Sequence, residues 1–298
     1  MSGRRSHRIA VAVVIAAAAA LIPSLASAAT PTAATGSAQG GELTISNGSP
    51  WVDINGSWVD FHTDVRDLAW NPAGTKAVFV DSNGDLETAN ANGTGRVVAT
   101  KHPAGVVLSH PTWETSPTNS GGYYPGNNLI FTAAGKTSSQ LEWVQATAVN
   151  ADPYTVIGLN GANWANAGAN LSNVRQDKGS FVWDSTRTGD VYITDVLLRM
   201  QTTVLGQGSE PSLSPNGEEV VFVRSVSGHD HLFEETLSNH TVRDLTPHAT
   251  TNYTEPTFSP NGATIAFRAP NGTYTLPSTG THNPTKVTST TGLVAYRG

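Results

Sequence analysis

The chain has 298 residues, of which 17 are basic and 23 acidic, and it contains no cysteine. The lack of cysteine excludes a disulfide scaffold, a thiolate-ligated zinc site and thiol catalysis. Charged residues make up only 13% of the chain while glycine (29) and proline (17) are abundant, which favours strands joined by turns over a coiled coil or a charge-driven disordered chain.

The first 28 residues have the pattern of a secretory signal peptide. Three arginines within the first eight residues precede an apolar run over residues 9–25, and small residues at 26–28 provide a cleavage site. The alternative is an uncleaved membrane anchor, because a run of 17 residues reaches the lower limit for a bilayer span. We expect an exported protein that is extracellular, periplasmic or held in the cell wall, without stable membrane insertion after cleavage.

The mature chain is expected to be acidic, because removal of the three arginines would change the net charge from −6 to −9. This charge argues against nucleic acid as a partner. Residues 29–41 lack bulky apolar side chains and are predicted to be a flexible leader. Residues 42–298 are expected to form one domain, which begins with three short strands over residues 42–45, 51–54 and 58–61.

A repeated segment follows these strands. Residues 67–74 read Asp-Leu-Ala-Trp-Asn-Pro-Ala-Gly, and the pattern returns as Glu-Pro-Ser-Leu-Ser-Pro-Asn-Gly at 210–217 and as Glu-Pro-Thr-Phe-Ser-Pro-Asn-Gly at 255–262. An apolar strand comes next in each copy, with a phenylalanine five residues after the glycine. A fixed period of 45 residues between the two later copies indicates a repeat architecture.

Two weaker copies lie between these strong ones. One begins at His110 and carries a nine-residue insertion before its second strand, and the other runs from Asn170 to residue 193 without a Pro-x-Gly turn. Each copy predicts a small antiparallel sheet that cannot cover its own faces and must stack on its neighbours. The tail strand near residues 292–297 and the three head strands would complete a sixth unit and close a ring, with five or seven units as alternatives.

The Glu-Pro-x-x-Ser-Pro-Asn-Gly segments, each followed by an apolar strand, resemble the repeat of the TolB-like six-bladed β-propeller family, whose turn usually reads Ser-Pro-Asp-Gly. The resemblance covers most of the mature chain, with two repeats that match closely. It implies an all-β fold, a β-propeller of six four-stranded blades closed by N- and C-terminal strands. It also implies an exported platform that binds proteins or peptides, with enzymes a minority.

One polar position is shared by all five copies. It immediately precedes the strand-opening proline or its equivalent, and it is occupied by Asp67, His110, Asn170, Glu210 and Glu255. Because the first strand of every blade lines the central channel, we expect these side chains to converge at one mouth. Clustered carboxylates there could bind a divalent cation or the basic end of a peptide. The alternative is that each side chain only caps a strand or hydrogen-bonds the next blade.

Two sets of aromatic residues carry different predictions. Tyr123 and Tyr124 in the insertion, and Trp164 in a stretch rich in Asn, Gly and Ala, break the period and are candidate protein- or glycan-binding loops, or else solvent-exposed decoration. The periodic aromatic residues are predicted to pack between blades: Trp70, Phe79, Trp113, Trp183, Phe222 and Phe267.

Other local patterns favour turns over metal sites. His229-Asp230-His231 is interpreted as a solvated hairpin, and residues 81–87 as a plain turn whose glycine is misplaced for a calcium loop. The chain lacks the Gly-x-Ser-x-Gly nucleophile elbow, the His-Glu-x-x-His zinc motif and the Walker loop.

The sequence therefore favours a binding or scaffold protein for a protein, peptide or cell-envelope component. We expect it to be monomeric, without catalysis and without an obligatory cofactor. The alternative is a metal-assisted polysaccharide lyase or hydrolase with its site at the channel mouth, where His110 and the acidic ring would hold the metal.

Overall fold

The computed structural model describes residues 40–114, 127–156, 171–177, 180–195, 201–279 and 283–298. Within these residues the regular structure consists of β-strands, and none of the described segments is a helix long and apolar enough to cross a membrane. The strands are β1 (Glu42–Ser46), β2 (Ser49–Ile54), β3 (Ser57–Trp70), β4 (Lys76–Val80), β5 (Leu86–Asn90), β6 (Val97–Thr100), β7 (Val107–Trp113), β8 (Asn128–Ala134), β9 (Ser139–Gln145), β10 (Tyr154–Thr155), β11 (Leu171–Asp177), β12 (Ser180–Ser185), β13 (Asp190–Asp195), β14 (Gln201–Gln207), β15 (Ser209–Leu213), β16 (Glu219–Val226), β17 (His229–Thr236), β18 (Thr241–Asp244), β19 (Thr254–Phe258), β20 (Thr264–Ala269), β21 (Gly272–Pro277), β22 (Thr285–Thr288) and β23 (Leu293–Arg297).

These strands form small antiparallel sheets that follow the predicted repeat. Four sheets have four strands each, in the orders β10-β9-β8-β7, β11-β12-β13-β14, β15-β16-β17-β18 and β19-β20-β21-β22. A seven-stranded sheet has the order β23-β1-β2-β3-β4-β5-β6. The long strand β3 belongs to two units of this sheet, because residues 57–65 pair with β2 and residues 66–70 pair with β4.

The last unit is closed by both ends of the folded chain, as the sequence predicted. β23 pairs with β1 over five residues, from Glu42 opposite Arg297 to Ser46 opposite Leu293. β1, β2 and the first half of β3 complete this sixth four-stranded unit. Each first strand contacts the first strands of two neighbours, in the order β3, β7, β11, β15, β19, β23 and back to β3, so the six first strands form a closed ring. This arrangement is a β-propeller.

Three of the turns between first and second strands share one capping scheme. Oγ of Ser214 accepts the backbone N–H of Glu219 at 2.8 Å, and Oγ of Ser259 accepts that of Thr264 at 3.0 Å. In the first unit the side-chain oxygen of Asn71 has the same role and accepts the N–H groups of residues 75 and 76 at 2.8 and 3.0 Å. The asparagine that replaces serine in the first copy therefore preserves the turn.

The hydrophobic core lies between neighbouring units. Phe79, Phe222 and Phe267, which share the five-residue offset from the turn glycine, are fully buried. Trp183 is also buried and stacks on Tyr192, with ring centroids 4.2 Å apart. The three phenylalanines confirm the prediction that periodic aromatic side chains pack between blades, because each belongs to a buried apolar cluster shared by two neighbouring units.

Candidate functional site

The channel site begins at a β-bulge in the first strand of five of the six units, all except the closing one. The pairing register shifts between residues 66 and 69, 109 and 112, 209 and 212, and 254 and 257. The extra residue in each bulge has a left-handed backbone, with φ of 58° at Asp67, 48° at His110, 53° at Glu210 and 54° at Glu255. We call these four side chains, which are all partly buried, the ring residues. A bulge re-aims the side chain that it carries, which explains why one position recurs around the channel.

Two of the ring carboxylates form hydrogen bonds to the next unit. Oδ2 of Asp67 accepts the backbone N–H of His110 at 3.2 Å, and Oε2 of Glu210 accepts the backbone N–H of Glu255 at 2.6 Å. The backbone N–H of Glu210 donates in turn to Oδ2 of Asp184, on β12, at 2.9 Å. These contacts match the structural alternative for Asp67 and Glu210, since both carboxylates help to hold adjacent units together.

His110 makes a different contact, one that spans the channel. Its Nε2 lies 3.1 Å from Oε1 of Glu255. His110 is on β7 and Glu255 is on β19, and these two strands are three places apart in the ring of six first strands, hence on opposite sides of the channel. The His110–Glu255 pair therefore bridges the channel at the level of the ring residues.

The fifth predicted ring residue and the predicted binding loops lie outside the described residues: Asn170, Tyr123, Tyr124 and Trp164. In the third unit the bulge falls between residues 172 and 175 of β11. This register assigns the equivalent position to Asn173, three residues later than Asn170. The shift arises because the third copy lacks the Pro-x-Gly turn that fixes the alignment in the other copies.

An apolar cavity lies next to the ring residues along the same strands. It has a volume of about 330 Å³, and four large side chains in its wall, Trp70, Trp113, Leu213 and Phe258, each follow a ring residue by three positions. Tyr296 from the closing strand β23 completes the wall, and burial raises the pKa of its hydroxyl to about 12. We call this space the channel cavity.

The channel cavity is the feature of the site that the sequence analysis missed. Trp70 and Trp113 were predicted only as packing residues, whereas they also line the cavity. Leu213 and Phe258 were not singled out, although the repeat alignment contains the signal: the third residue after the ring position is large and apolar in four copies.

Glu210 is the ring residue with a strongly perturbed pKa. Burial, reinforced by the negative charge of Glu255, raises the pKa of Glu210 to about 7, although the Glu255 backbone N–H, Arg268 and His110 act in the opposite direction. A carboxyl group with this pKa exchanges its proton near neutral pH. The site can therefore adjust its charge when a cationic group enters.

The other candidate metal sites from the sequence, at residues 229–231 and 81–87, have side chains that hydrogen-bond within the protein. His231 is buried in β17, with Nδ1 2.8 Å from Oδ2 of Asp244, so the prediction of a solvated hairpin at this residue was wrong. Oδ1 of Asp81 accepts the backbone N–H groups of Asn83 and Asp85 at 2.8 and 2.9 Å, as in a plain turn. No group of three or more His, Asp or Glu side chains suited to holding a metal ion is found among the residues that the structure describes.

Comparison with solved structures supports the fold class. The chain is similar to TolB from Acinetobacter baumannii (17% identity, TM-score 0.63, 86% of this chain and 66% of that one) and to a putative TolB from Agrobacterium tumefaciens (14%, 0.57, 86% and 91%). It is also similar to a chain in a crystal structure of the nidogen/laminin complex (9%, 0.62, 87% and 98%). No protein-family model and no curated protein matches the chain.

These likenesses, all at low identity, show a β-propeller fold. The chain spans 66% of the length of the Acinetobacter TolB. Function must be argued from the channel site itself.

Proposed function

We propose that this protein is an exported, TolB-like β-propeller that binds a segment of a partner protein or peptide in its central channel and has no catalysis of its own. The observation that carries the proposal is that the ionisable ring residues and the apolar channel cavity lie next to each other along the same strands. The propeller neighbours support a binding role, and export rests on the signal-like pattern of residues 1–28.

The chemistry of the channel site defines the segment that it would accept. The channel cavity is large enough for one aromatic or branched side chain, and its wall of Trp70, Trp113 and Phe258 offers apolar contact. A lysine, arginine or free amino group beside that side chain would reach the carboxylates of Glu210 and Glu255. It would replace His110 as the partner of Glu255 and remove the charge repulsion between the two glutamates.

Peptide selection with matched variants tests the proposal. Phage-displayed peptides are selected on the immobilised mature protein, and the Kd of the best free peptide is measured by calorimetry. We expect a basic residue next to an aromatic or branched apolar one. The double variant Glu210→Gln/Glu255→Gln should weaken binding by at least about tenfold, because charge-assisted hydrogen bonds at a buried site are lost, and Phe258→Ala should weaken it as well.

Glu218→Gln is the matched control, because Glu218 is exposed and belongs to the turn after β15. Its Kd should equal that of the unmodified protein. Selection that yields no binding peptide, or a peptide whose Kd is unchanged by both channel variants although they melt normally, would refute a binding role for the channel.

A metal-assisted lyase or hydrolase was the alternative from sequence. It would need three or more ligands around one point, and no observation among the described residues favours it.

A further inference from the structure

A second surface of unusual composition lies on the hairpin of β2 and β3, in the closing unit. In its register Trp51 stands opposite Asp60, and Asp53 stands opposite Trp58. Directly paired residues of an antiparallel ladder share a face, as do residues two apart on one strand. The four side chains therefore form a two-by-two grid on one face, with the tryptophans on one diagonal and the aspartates on the other. We call it the Trp/Asp grid.

Both tryptophans of the grid are exposed on a hairpin that is otherwise firmly packed. Trp51 and Trp58 expose 48% and 50% of their surface, whereas Val52 and Ile54, on the opposite face, are buried in the core. Exposure of two tryptophans is therefore a property of the native face and not of a loose segment. Tryptophan is among the residues most enriched where proteins bind their partners.

Neither aspartate of the grid pairs with a lysine or arginine among the described residues. Asp53 is buried and its Oδ1 accepts the backbone N–H of Gly56 at 2.8 Å, and burial raises the pKa of its carboxyl group. Asp60 accepts the backbone N–H of His62 at 2.7 Å and lies 3.0 Å from Nδ1 of the same residue. Since Asp53 is buried, Asp60 is the carboxylate of the grid that an incoming cation could reach.

The boundary between the closing unit and the first unit shows this chemistry with its cation present. The guanidinium of Arg297 lies over the ring of Trp70, 5.3 Å from the centroid, and donates to Oε2 of Glu42 at 2.9 Å. A tryptophan face and a carboxylate thus hold an arginine within the chain. In the Trp/Asp grid the partly exposed Asp60 stands directly opposite the exposed Trp51, and it can supply the carboxylate for such an arrangement.

We propose that the Trp/Asp grid is an interaction surface for an arginine side chain in a basic segment of a partner protein. The planar guanidinium stacks on an indole and presents paired N–H donors to a carboxylate, which a lysine ammonium cannot do in the same geometry. The acidic net charge of the chain, −6, favours approach of a basic partner. This surface is separate from the channel site.

NMR spectroscopy of the mature protein tests this proposal locally. A tetra-arginine peptide is titrated while the indole N–H signals of Trp51 and Trp58 are followed, after their assignment with Trp51→Phe and Trp58→Phe. We expect both signals to shift with arginine, and neither to shift with tetra-citrulline, its uncharged isostere. The variant Asp53→Asn/Asp60→Asn should weaken binding about tenfold, and Trp51→Ala/Trp58→Ala about fivefold to tenfold.

Two controls separate this surface from other sites. Tyr154→Ala removes an aromatic side chain that is 64% exposed elsewhere and should leave the shifts unchanged. Glu210→Gln/Glu255→Gln should also leave them unchanged. If this channel variant alone abolishes arginine binding, the grid proposal fails while the channel proposal stands.

Three further results would overturn the proposal. The first is the absence of any shift with tetra-arginine. The second is an equal response to tetra-citrulline or to chitohexaose, which would indicate a glycan surface. The third is unchanged affinity in the double asparagine variant, provided that its melting temperature shows a folded protein.

Discussion

Asp67, His110, Glu210 and Glu255 hold a left-handed backbone that residues other than glycine rarely adopt. Each left-handed residue with a Cβ costs roughly 1–2 kcal/mol relative to the ordinary conformation. Glycine would occupy these bulges without that cost, yet the chain places polar and ionisable side chains there. Strained positions of this kind are concentrated at functional sites.

Glycine usually destabilises a strand relative to alanine, and the strained backbone at Glu210 predicts the opposite order there. Glu210→Gly should be more stable than Glu210→Ala by about 1 kcal/mol, because both remove the side chain and only alanine keeps the strained Cβ. At Thr257, two residues beyond a bulge and outside the left-handed region, the order should reverse, with Thr257→Gly less stable than Thr257→Ala. Urea unfolding of the four variants measures both differences. Equal stability of the two Glu210 variants would contradict the prediction.

The raised pKa of Glu210 predicts a pH dependence with a definite sign. Its value rises from 4.5 to about 7 on folding, so the folded state binds the proton more tightly than the unfolded state. Stability from this group is complete below pH 4.5 and is lost as the pH rises through 7. Glu210→Gln mimics the protonated form, so its unfolding free energy at pH 8 should exceed that of the unmodified protein by up to about 3 kcal/mol.

The measurement is urea unfolding at pH 5 and at pH 8. The advantage of Glu210→Gln should be small at pH 5 and large at pH 8, and the exposed control Glu218→Gln should show no such difference. A constant offset at both pH values would mean that Glu210 is ionised throughout.

The sequence could predict the ring positions but not how they pair. The place of Glu210 and Glu255 follows from their fixed distance to a proline turn, which any copy of the repeat reveals. The bridge from His110 to Glu255 joins residues 145 positions apart and depends on side-chain length against channel width. The repeat pattern of the sequence gives neither the width of the channel nor how far a side chain reaches across it. Asn173 was missed for another reason, since its copy lacks the turn that marks the register.

At the scale of the strands, the side chain of Arg297 reinforces the backbone ladder of the closing pair β1–β23. Nε of Arg297 donates to the carbonyl oxygen of Gly74 at 2.7 Å, while its guanidinium also contacts Glu42 and Trp70. Gly74 permits this approach, because a Cβ there would lie about 2.3 Å from the carbonyl oxygen of Gly298. The turn glycine of the first copy thus serves the closure as well as the turn.

Removal of this latch should weaken the closure. Arg297→Ala should lower the unfolding free energy by roughly 1–2 kcal/mol, because a charge-assisted hydrogen bond, a hydrogen bond to the backbone and a cation–π contact are lost together. Amide hydrogen exchange in β1 and β23 should accelerate more than in β16. Arg187→Ala, in an exposed turn of the third unit, is the control. A loss equal to that of the control would show that Arg297 is not a latch.

The strands were predicted correctly where the turn between them is fixed by residues close together in the sequence. The Ser-Pro-Asn-Gly turns and their flanking apolar strands depend on contacts within a few residues, such as Oγ of Ser214 with the N–H of Glu219. His231 was misjudged because its burial depends on β18, whose Asp244 hydrogen-bonds the imidazole. The period gave no indication of that partner.

At the scale of the whole molecule, closure by one tail strand and three head strands was predictable, because leftover strands at both ends of a repeat array can complete one unit. The register of that closure was not. The structure also shows that β3 runs unbroken from the sixth unit into the first. The sequence showed only two separate apolar stretches, since the left-handed residues His62 and Asp67 interrupt the alternation.

The closing pair has a mechanical consequence. Glu42 and Arg297, the outer ends of β1 and β23, face each other in the ladder, so tension applied to the two ends of the folded chain pulls across the hydrogen bonds and not along the strands. Under this load the hydrogen bonds break one after another, whereas under a load along the strands they must break together. We therefore expect the closing unit to open first, and at low force, when the two ends of the folded chain are pulled apart.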